Sequence, residues 1–435
     1  MERYNEYKDS GVQWLGEIPS HWELRKMKYT FCERSQKGFP NEPLLAATQN
    51  HGVIKKSDYE NRTVEATKNL DTLKLVEKGD FVISLRSFQG GIEYSYCRGI
   101  ISPAYTVLKA HHLSEPYFKH LAKSPSFIDL LKSSVTGIRE GQNIDYNKLK
   151  VEFMPIPVIK EQQAIASYLD KATAKIDETI AQQQKMIDLL NERKQIIINN
   201  AVTKGLNPDA PMKDSGVEWI GEIPEHWEVM PIKRLKSKEK NAFVDGPFGS
   251  NLKSEHFVEN GDVYVIESGL ITTGKYVHRE LKTITKSHFE TIKRSECKAN
   301  DIIIAKIGAR FGMAGELPEL GKPCVVSGNS LKLTLDQSVM QNGMFVNYMG
   351  LAKWKGGFVG LYQETAQPAL SLGALNNMML PVPPIEEQLY ILEQTNQKLD
   401  ILDVAIINAS KQISLLQERK QIIINDVVTG KVKVS

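Results

Sequence analysis

A 21-residue block occurs twice in this chain, as KDSGVQWLGEIPSHWELRKMK at residues 8–28 and as KDSGVEWIGEIPEHWEVMPIK at residues 213–233, with 14 positions identical. A second block, LLNERKQIIINNAVTKGL from Leu189, returns as LLQERKQIIINDVVTGKV from Leu415, at an offset of 226 residues where the first block's offset is 205. The polypeptide is a duplication whose halves carry different material. Between the first block and the proline-punctuated segment that leads to the second lie 124 residues in the first half (29–152) and 145 in the second (234–378), and these interiors share little. Each half reads as common framework, private insert, common framework. Such a repeat constrains the fold before any local pattern does, because two copies of one framework build two similar units. It suggests two modules that recognise two different things.

At 435 residues the chain exceeds the roughly 250–300 residues that one hydrophobic core usually serves, so two or more domains are expected. The four cysteines, Cys32, Cys97, Cys297 and Cys324, show no CxxC pair, and buried reduced thiols are the expectation. There is no long apolar run to span a membrane, and the opening MERYNEYKDSG lacks the apolar stretch of a signal peptide, so a cytoplasmic location is expected. Net charge is only +3, but each insert carries an excess of four basic residues (17 Lys and Arg against 13 Asp and Glu in 29–150, 18 against 14 in 234–377). That balance fits a polyanionic partner and equally a solvated surface.

The inserts are followed by FMPIPVIKEQQ from Phe153 and MLPVPPIEEQL from Met379. Pro155, Pro157, Pro381, Pro383 and Pro384 disfavour helix before them and mark where one can begin, and Glu161 and Glu387 then suit the positive end of a helix dipole. From about 161 to 203, Ile165, Leu169, Ala172, Ile176, Thr179, Ile187, Leu190, Ile197 and Ala201 recur at steps of four and three, with Gln183 and Lys194 in the same register. Ile391, Leu402, Ala405, Ala409, Ile413, Leu416, Ile423 and Val427 keep that seam in the second half. Gly205 and Gly430 mark the stops. A helix of about 43 residues is roughly 60 Å long. One apolar stripe needs a partner, and the chain supplies a near-identical one. Two equivalent helices, each with a domain at its start, place those domains at opposite ends under a pseudo-twofold axis when antiparallel. An antiparallel coiled coil is therefore predicted, the alternative being that each helix packs on its own insert.

The inserts show short β-rich runs with glycine turns, at 44–54, 78–87, 99–110, 262–276, 300–309 and 323–335. Gly79-Asp80 before Phe-Val-Ile matches Asn300-Asp301 before Ile-Ile-Ile, and Ile101-Ser102 matches Val326-Ser327, so a shared mixed α/β fold with reworked loops is expected. The chain divides into residues 1–152, 153–207, 208–378 and 379–435: α/β domain, helix, α/β domain, helix. The fold class is mixed α/β, two α/β domains separated by two long helices, with pseudo-twofold internal duplication.

No Walker A loop, no GxGxxG before a helix and no zinc-spaced Cys/His set is present. The only Pro-Asp dipeptide, Pro208-Asp209, lies far from the acidic-x-Lys matches at Glu280-Leu281-Lys282 and Glu296-Cys297-Lys298, which argues against a metal nuclease. An Asn-Pro-Pro-aromatic segment of the sort that holds a flipped base is also missing. His21 and His226 recur within the framework and read as structural.

The repeated KDSGV-W-GEIP-HWE opening, the PIP-EQ start of a long helix, its LL-ERKQIIIN ending and the duplication around divergent inserts together resemble the specificity subunit of a type I restriction-modification system, over essentially the whole length. The resemblance implies that each insert is a target recognition domain reading one half of a split double-stranded DNA sequence. It implies that the helices act as spacer and dock two methyltransferase subunits, which carry S-adenosylmethionine, and that restriction subunits using ATP and magnesium join that core. The chain itself would hold no active site, cofactor or metal. Two other classes stay open: a duplicated nuclease or methyltransferase with an unrecognised site, and a coiled-coil adaptor that binds only proteins. Neither explains why the framework repeats while the inserts diverge.

Specific readout needs paired donors and acceptors at base edges, on loops held by a rigid scaffold. In the second insert, residues 245–257 (DGPFGSNLKSEHF) resemble a segment of these recognition domains, where Gly246, Gly249 and Ser250 would let backbone approach DNA and Asn251 and Lys253 would reach it. A plain Gly-Pro turn is the alternative. Lys306 and Arg310 follow the predicted strand at 302–305. In the first insert the matching strand end offers Arg86, Ser87 and Gln89, with Gln49, Asn50 and His51 on another turn and Arg139 and Gln142 on a third. Gln363, Thr365 and Gln367 stand at roughly the place of that last turn in the second insert.

Overall fold

The computed structural model of the chain describes residues 2–59, 69–136, 143–270, 280–362 and 369–434. They form two compact units, one of Met1–Lys185 with Ala409–Ser435 and one of Met186–Asn408. Each unit therefore holds one insert and half of each long helix.

In the first unit, strand Tyr7–Asp9 pairs antiparallel with Glu17–Pro19, and Glu23–Lys26 pairs antiparallel with Phe153–Ile156. The second ladder joins the segments on either side of the insert, so the insert is a closed loop on a two-stranded neck. Pro155 is tolerated there because a two-stranded ribbon leaves one side of each strand unpaired. The second unit repeats both ladders, Met212–Asp214 with Glu222–Pro224 and Glu228–Pro231 with Met379–Val382.

The inserts share their architecture although little of their sequence. The first has a four-stranded antiparallel sheet in the order Phe31–Glu33, Thr106–Ala110, Phe81–Ile83, Glu93–Tyr94; the second has Phe243–Asp245, Ser330–Leu333, Ile302–Ala305, Ala314–Glu316 in the same order. The weak match at Asp80 and Asp301 marks one shared turn. Gly79 and Asn300 both have positive φ (96° and 69°), a region that glycine and asparagine enter most readily. The following aspartate accepts a backbone N–H three residues back in each case, Glu77 to Asp80 and Lys298 to Asp301, both at 2.8 Å.

The run at 44–54 is a hairpin of Leu45–Thr48 with Gly52–Lys55. Val263–Ile266 forms the described strand of the run at 262–276, whose residues 271–276 lie outside the described residues. Cys297 and Cys324 are buried, directly opposed on neighbouring strands, and Cys97 is half-buried. Cys32 departs from the expectation and is exposed. Its neighbour Phe31 takes the inward position, and strand alternation sends Cys32 outward.

The long helices run over Ile159–Lys204 and Ile385–Val428. Within the first unit, Tyr117 Oη donates to both the Pro155 and Val428 carbonyls, while further along Lys420 Nζ meets Asp177 at 2.7 Å. One helix ascends as the other descends, so they pack antiparallel. Within the second unit Lys194 Nζ meets Asp403 at 2.5 Å, and Gly205 lies against Glu387. The two ion pairs are the same pair twice, each residue offset by 226. Lys194, a polar position in the predicted seam, is thus a cross-helix partner. Ile165, Leu169 and Ile176 pack with Ile423, Ile424 and Val427 in the first unit, and Ala201 and Val202 join Ile391 and Trp227 in the second.

Candidate nucleic-acid interface

Each insert's loops stand on its neck, and the same constellation recurs at both necks. Trp22 Nε1 donates to Glu161 at 3.1 Å, His21 Nε2 lies 3.0 Å from the same carboxylate and Tyr4 Oη donates to it at 2.6 Å. In the second unit Trp227 Nε1 and His226 Nε2 lie 3.1 and 2.8 Å from Glu387. The histidines of the repeated HWE are framework groups, as their recurrence suggested. The next residue is a second brace. Gln162 accepts the Ser114 N–H and donates to the Pro157 carbonyl, each at 2.8 Å; Gln388 accepts from Gln341 at 2.9 Å and donates to Pro383 and Val339 at 2.8 Å. Both amides are buried, and each fixes the start of a helix in its insert to the neck. The signal for them was the doubled Glu-Gln.

In the first unit, Gln49 and Asn50 lie on the turn between strands Leu45–Thr48 and Gly52–Lys55, where Thr48 Oγ1 bridges the His51 N–H and the Gly52 carbonyl. Gly52 has φ 70°, and a Cβ there would meet the Tyr94 carbonyl at 2.6 Å. Arg86 and Gln89 lie on the short helical turn that follows strand Phe81–Ile83. Ser87 is different. It is buried, and its hydroxyl accepts the Ser84 N–H at 2.8 Å, so it braces the turn instead of facing a ligand. The two turns meet: a Cβ on Gly90 would lie 2.9 Å from Gln49 Cδ. Beside them is a cleft of about 880 Å³ whose walls include Asn50, Tyr96, Lys119 and Lys123. Glu93 lies at its base, buried and paired with Lys123 at 2.7 Å; burial pushes its carboxyl above the ordinary range, against the opposing pull of Lys123. His120 is also buried on this cleft, 2.9 Å from Asp170, and desolvation lowers its pKa against the pull of that carboxylate. Arg139 and Gln142 lie outside the described residues.

In the second unit, Gly249, Ser250, Asn251 and Lys253 are exposed on the loop after strand Phe243–Asp245. Gly246 is buried with no room for a Cβ against the Ser327 carbonyl, so its smallness serves internal packing and not the approach of a ligand. Gly249 has open space around it. Asp245 draws two cations to this loop, Arg294 at 3.2 Å and Lys306 at 3.7 Å. Arg310 is exposed on the turn beyond Lys306. The Leu370 N–H donates to the Lys306 carbonyl at 2.9 Å, which brings the segment after Gln363, Thr365 and Gln367 beside that turn; those three residues lie outside the described set. Phe248, 69% exposed at the loop tip, and Tyr96 in the first unit stand out in solvent, where large aromatic residues are less often found than in the core. Among the described residues no group of three or more His, Cys, Asp or Glu could hold a metal ion, and no helix is long and apolar enough to cross a membrane.

Two α/β domains, each closed on a copy of the same neck and joined to paired antiparallel helices, define the class of fold. The chain is related along nearly its whole length to the specificity subunits of type I restriction enzymes. It is 25% identical to the MjaVIII specificity subunit of Methanocaldococcus jannaschii over 370 residues, covering 83% of this chain and 80% of that one. It is 24% identical to the putative MjaX specificity subunit of the same organism over 454 aligned positions, 97% of this chain and 96% of that one. A solved structure from work on complex assembly and conformational transition of the type I restriction-modification system shares the fold, with a TM-score of 0.70, 13% identity, and coverage of 95% of this chain and 99% of the other. No family model matches.

Proposed function

We propose that this chain is the non-catalytic DNA-reading component of a type I restriction-modification complex, binding an asymmetric bipartite target with one half-site for each recognition domain. The observation that carries this reading is the duplication itself: necks, helix starts and ion pairs recur at equivalent positions, while the loops above them differ. Like scaffolds with unlike loops suit two unlike half-sites. Base readers would be Gln49, Asn50, Arg86 and Gln89 in the first unit and Asn251, Lys306 and Arg310 in the second, with Gly249, Ser250 and Lys253 at the phosphates; Arg139, Gln142, Gln363 and Gln367 are proposed to join them.

The long helices would scaffold two methyltransferase subunits and, through them, the restriction subunits. Exposed Ile401, Val404 and Ile407 offer an apolar stripe for such docking. S-adenosylmethionine, ATP and magnesium would belong to those partners. Mapping modified adenines across the genome in cells with and without this chain tests the reading. A split, asymmetric motif that vanishes on deletion is expected. Methylation by the purified chain alone, or a methylation pattern indifferent to its loss, would overturn it.

A further inference from the structure

We propose that Lys123 is the positioning residue for sequence readout by the first unit: its ammonium ties the turn carrying Gln49 and Asn50 to the turn carrying Arg86 and Gln89, and so sets the spacing at which those side chains meet base edges. The inference rests on the reading of this chain as a DNA reader. Lys123 Nζ lies 3.3 Å from the Gln49 carbonyl, 2.8 Å from the Gly90 carbonyl and 2.7 Å from Glu93 Oε1. An ammonium has three protons to donate, and these are three acceptors. Two of them are main-chain carbonyls, one on each turn, so the tie acts on the backbones whatever side chains the turns carry.

The base of the tie is rigid. Lys123 sits at the junction of helices Glu115–Leu121 and Pro125–Ser133, its own N–H donates to the His120 carbonyl at 3.1 Å, and Tyr117, Phe118 and Phe127 around it are fully buried. Gly91, at φ 86°, lets the segment after the Arg86–Gly90 turn approach the Ala122 carbonyl more closely than any Cβ would allow. Three segments distant in sequence thus meet at one charged group. Glu93 holds that group from below, and its second oxygen is buried without a hydrogen bond. A buried carboxylate in that state leans heavily on its one cation.

The second unit holds its loops by other means. There the Lys306 N–H donates to Asn329 at 3.0 Å and the Gly246 N–H to Ser330 at 2.9 Å, main chain to main chain. Loss of one side chain should therefore blur one reader and leave the other intact.

The test is competition binding of the full chain, assembled with its methyltransferase subunits, to duplexes bearing the mapped target and every single-base change in it. Lys123→Met should lower discrimination about tenfold in one half of the target only, leaving the other half and the salt dependence unchanged, and Lys123→Arg should restore part of it. Gly90→Ala, whose Cβ would lie 2.9 Å from the Gln49 side chain and push it away, should reproduce the loss; it decides the matter if Lys123→Met fails to assemble. Unaltered discrimination in Lys123→Met and Gly90→Ala overturns the proposal. So does a uniform weakening on all duplexes with a shallower salt slope, which would make Lys123 a phosphate contact. Absence of discrimination by the wild-type complex would instead refute the DNA-reader reading itself.

Discussion

The indole Nε1 of Trp22 donates to the carboxylate of Glu161 at 3.1 Å across 139 residues, and Trp227 does the same to Glu387. The bond joins the last residues before an insert to the first turn of the helix that follows it. Each indole is fully buried, so its N–H must find an acceptor, and the carboxylate also answers the positive end of the helix dipole. The segments on either side of each variable insert are thus tied to each other by side chains that both halves keep.

Removing that acceptor should cost the first neck more than the second. Glu161 serves Trp22, His21 and Tyr4, whereas Glu387 serves Trp227 and His226. Glu161→Ala is expected to destabilise by about 2–3 kcal/mol and Glu387→Ala by less. Denaturant unfolding of the two variants checks the order.

The helices should act as a ruler if the proposed function holds. Seven residues inserted after Gln184 and after Ser410, points related by the 226-residue offset, keep the apolar seam in phase. They add about 10 Å to each helix, so the tolerated spacer should lengthen by about 3 base pairs. Methylation of a library of targets with graded spacers reads the outcome; an unchanged preference would refute the ruler.

Arg86 and Lys253 should behave differently. Arg86→Ala should relax a single base position, at about 1–3 kcal/mol, while Lys253→Ala should weaken binding to every duplex alike and lower the salt slope by about 1. Binding to single-base variants at two ionic strengths separates them.

His120 makes the first unit sensitive to mild acid. Burial holds its pKa below the usual 6.5, although Asp170 opposes this; Lys119 and Lys420 add to the lowering. Between the unfolded value and the lower folded one the unfolded chain binds the extra proton, so stability present above about pH 6.5 falls as pH drops through that window. Thermal unfolding between about pH 7.5 and about pH 5.5 should show a shallower decline in His120→Gln than in the wild type.

Much of the candidate site was out of reach of one-dimensional reading. Gln49, Arg86, Asn251 and Lys306 lie on turns and strand ends, which glycine punctuation and β-branched runs predict because those signals are local. Whether a side chain on such a loop points outward depends on what packs beneath it. Ser87 turns in to the Ser84 N–H and Gly246 is pressed against Ser327, while Phe248 points to solvent.

The duplication, the two long helices, their apolar seams and the division into framework and insert follow from the sequence alone, since repeats and heptads are periodic signals carried by neighbouring residues. The common strand order of two dissimilar inserts, the capture of Trp22 and Trp227 by distant glutamates and the convergence of three segments on Lys123 belong to the tertiary structure. Those contacts join residues tens to more than a hundred positions apart, and no spacing along the chain encodes which buried donor will meet which acceptor.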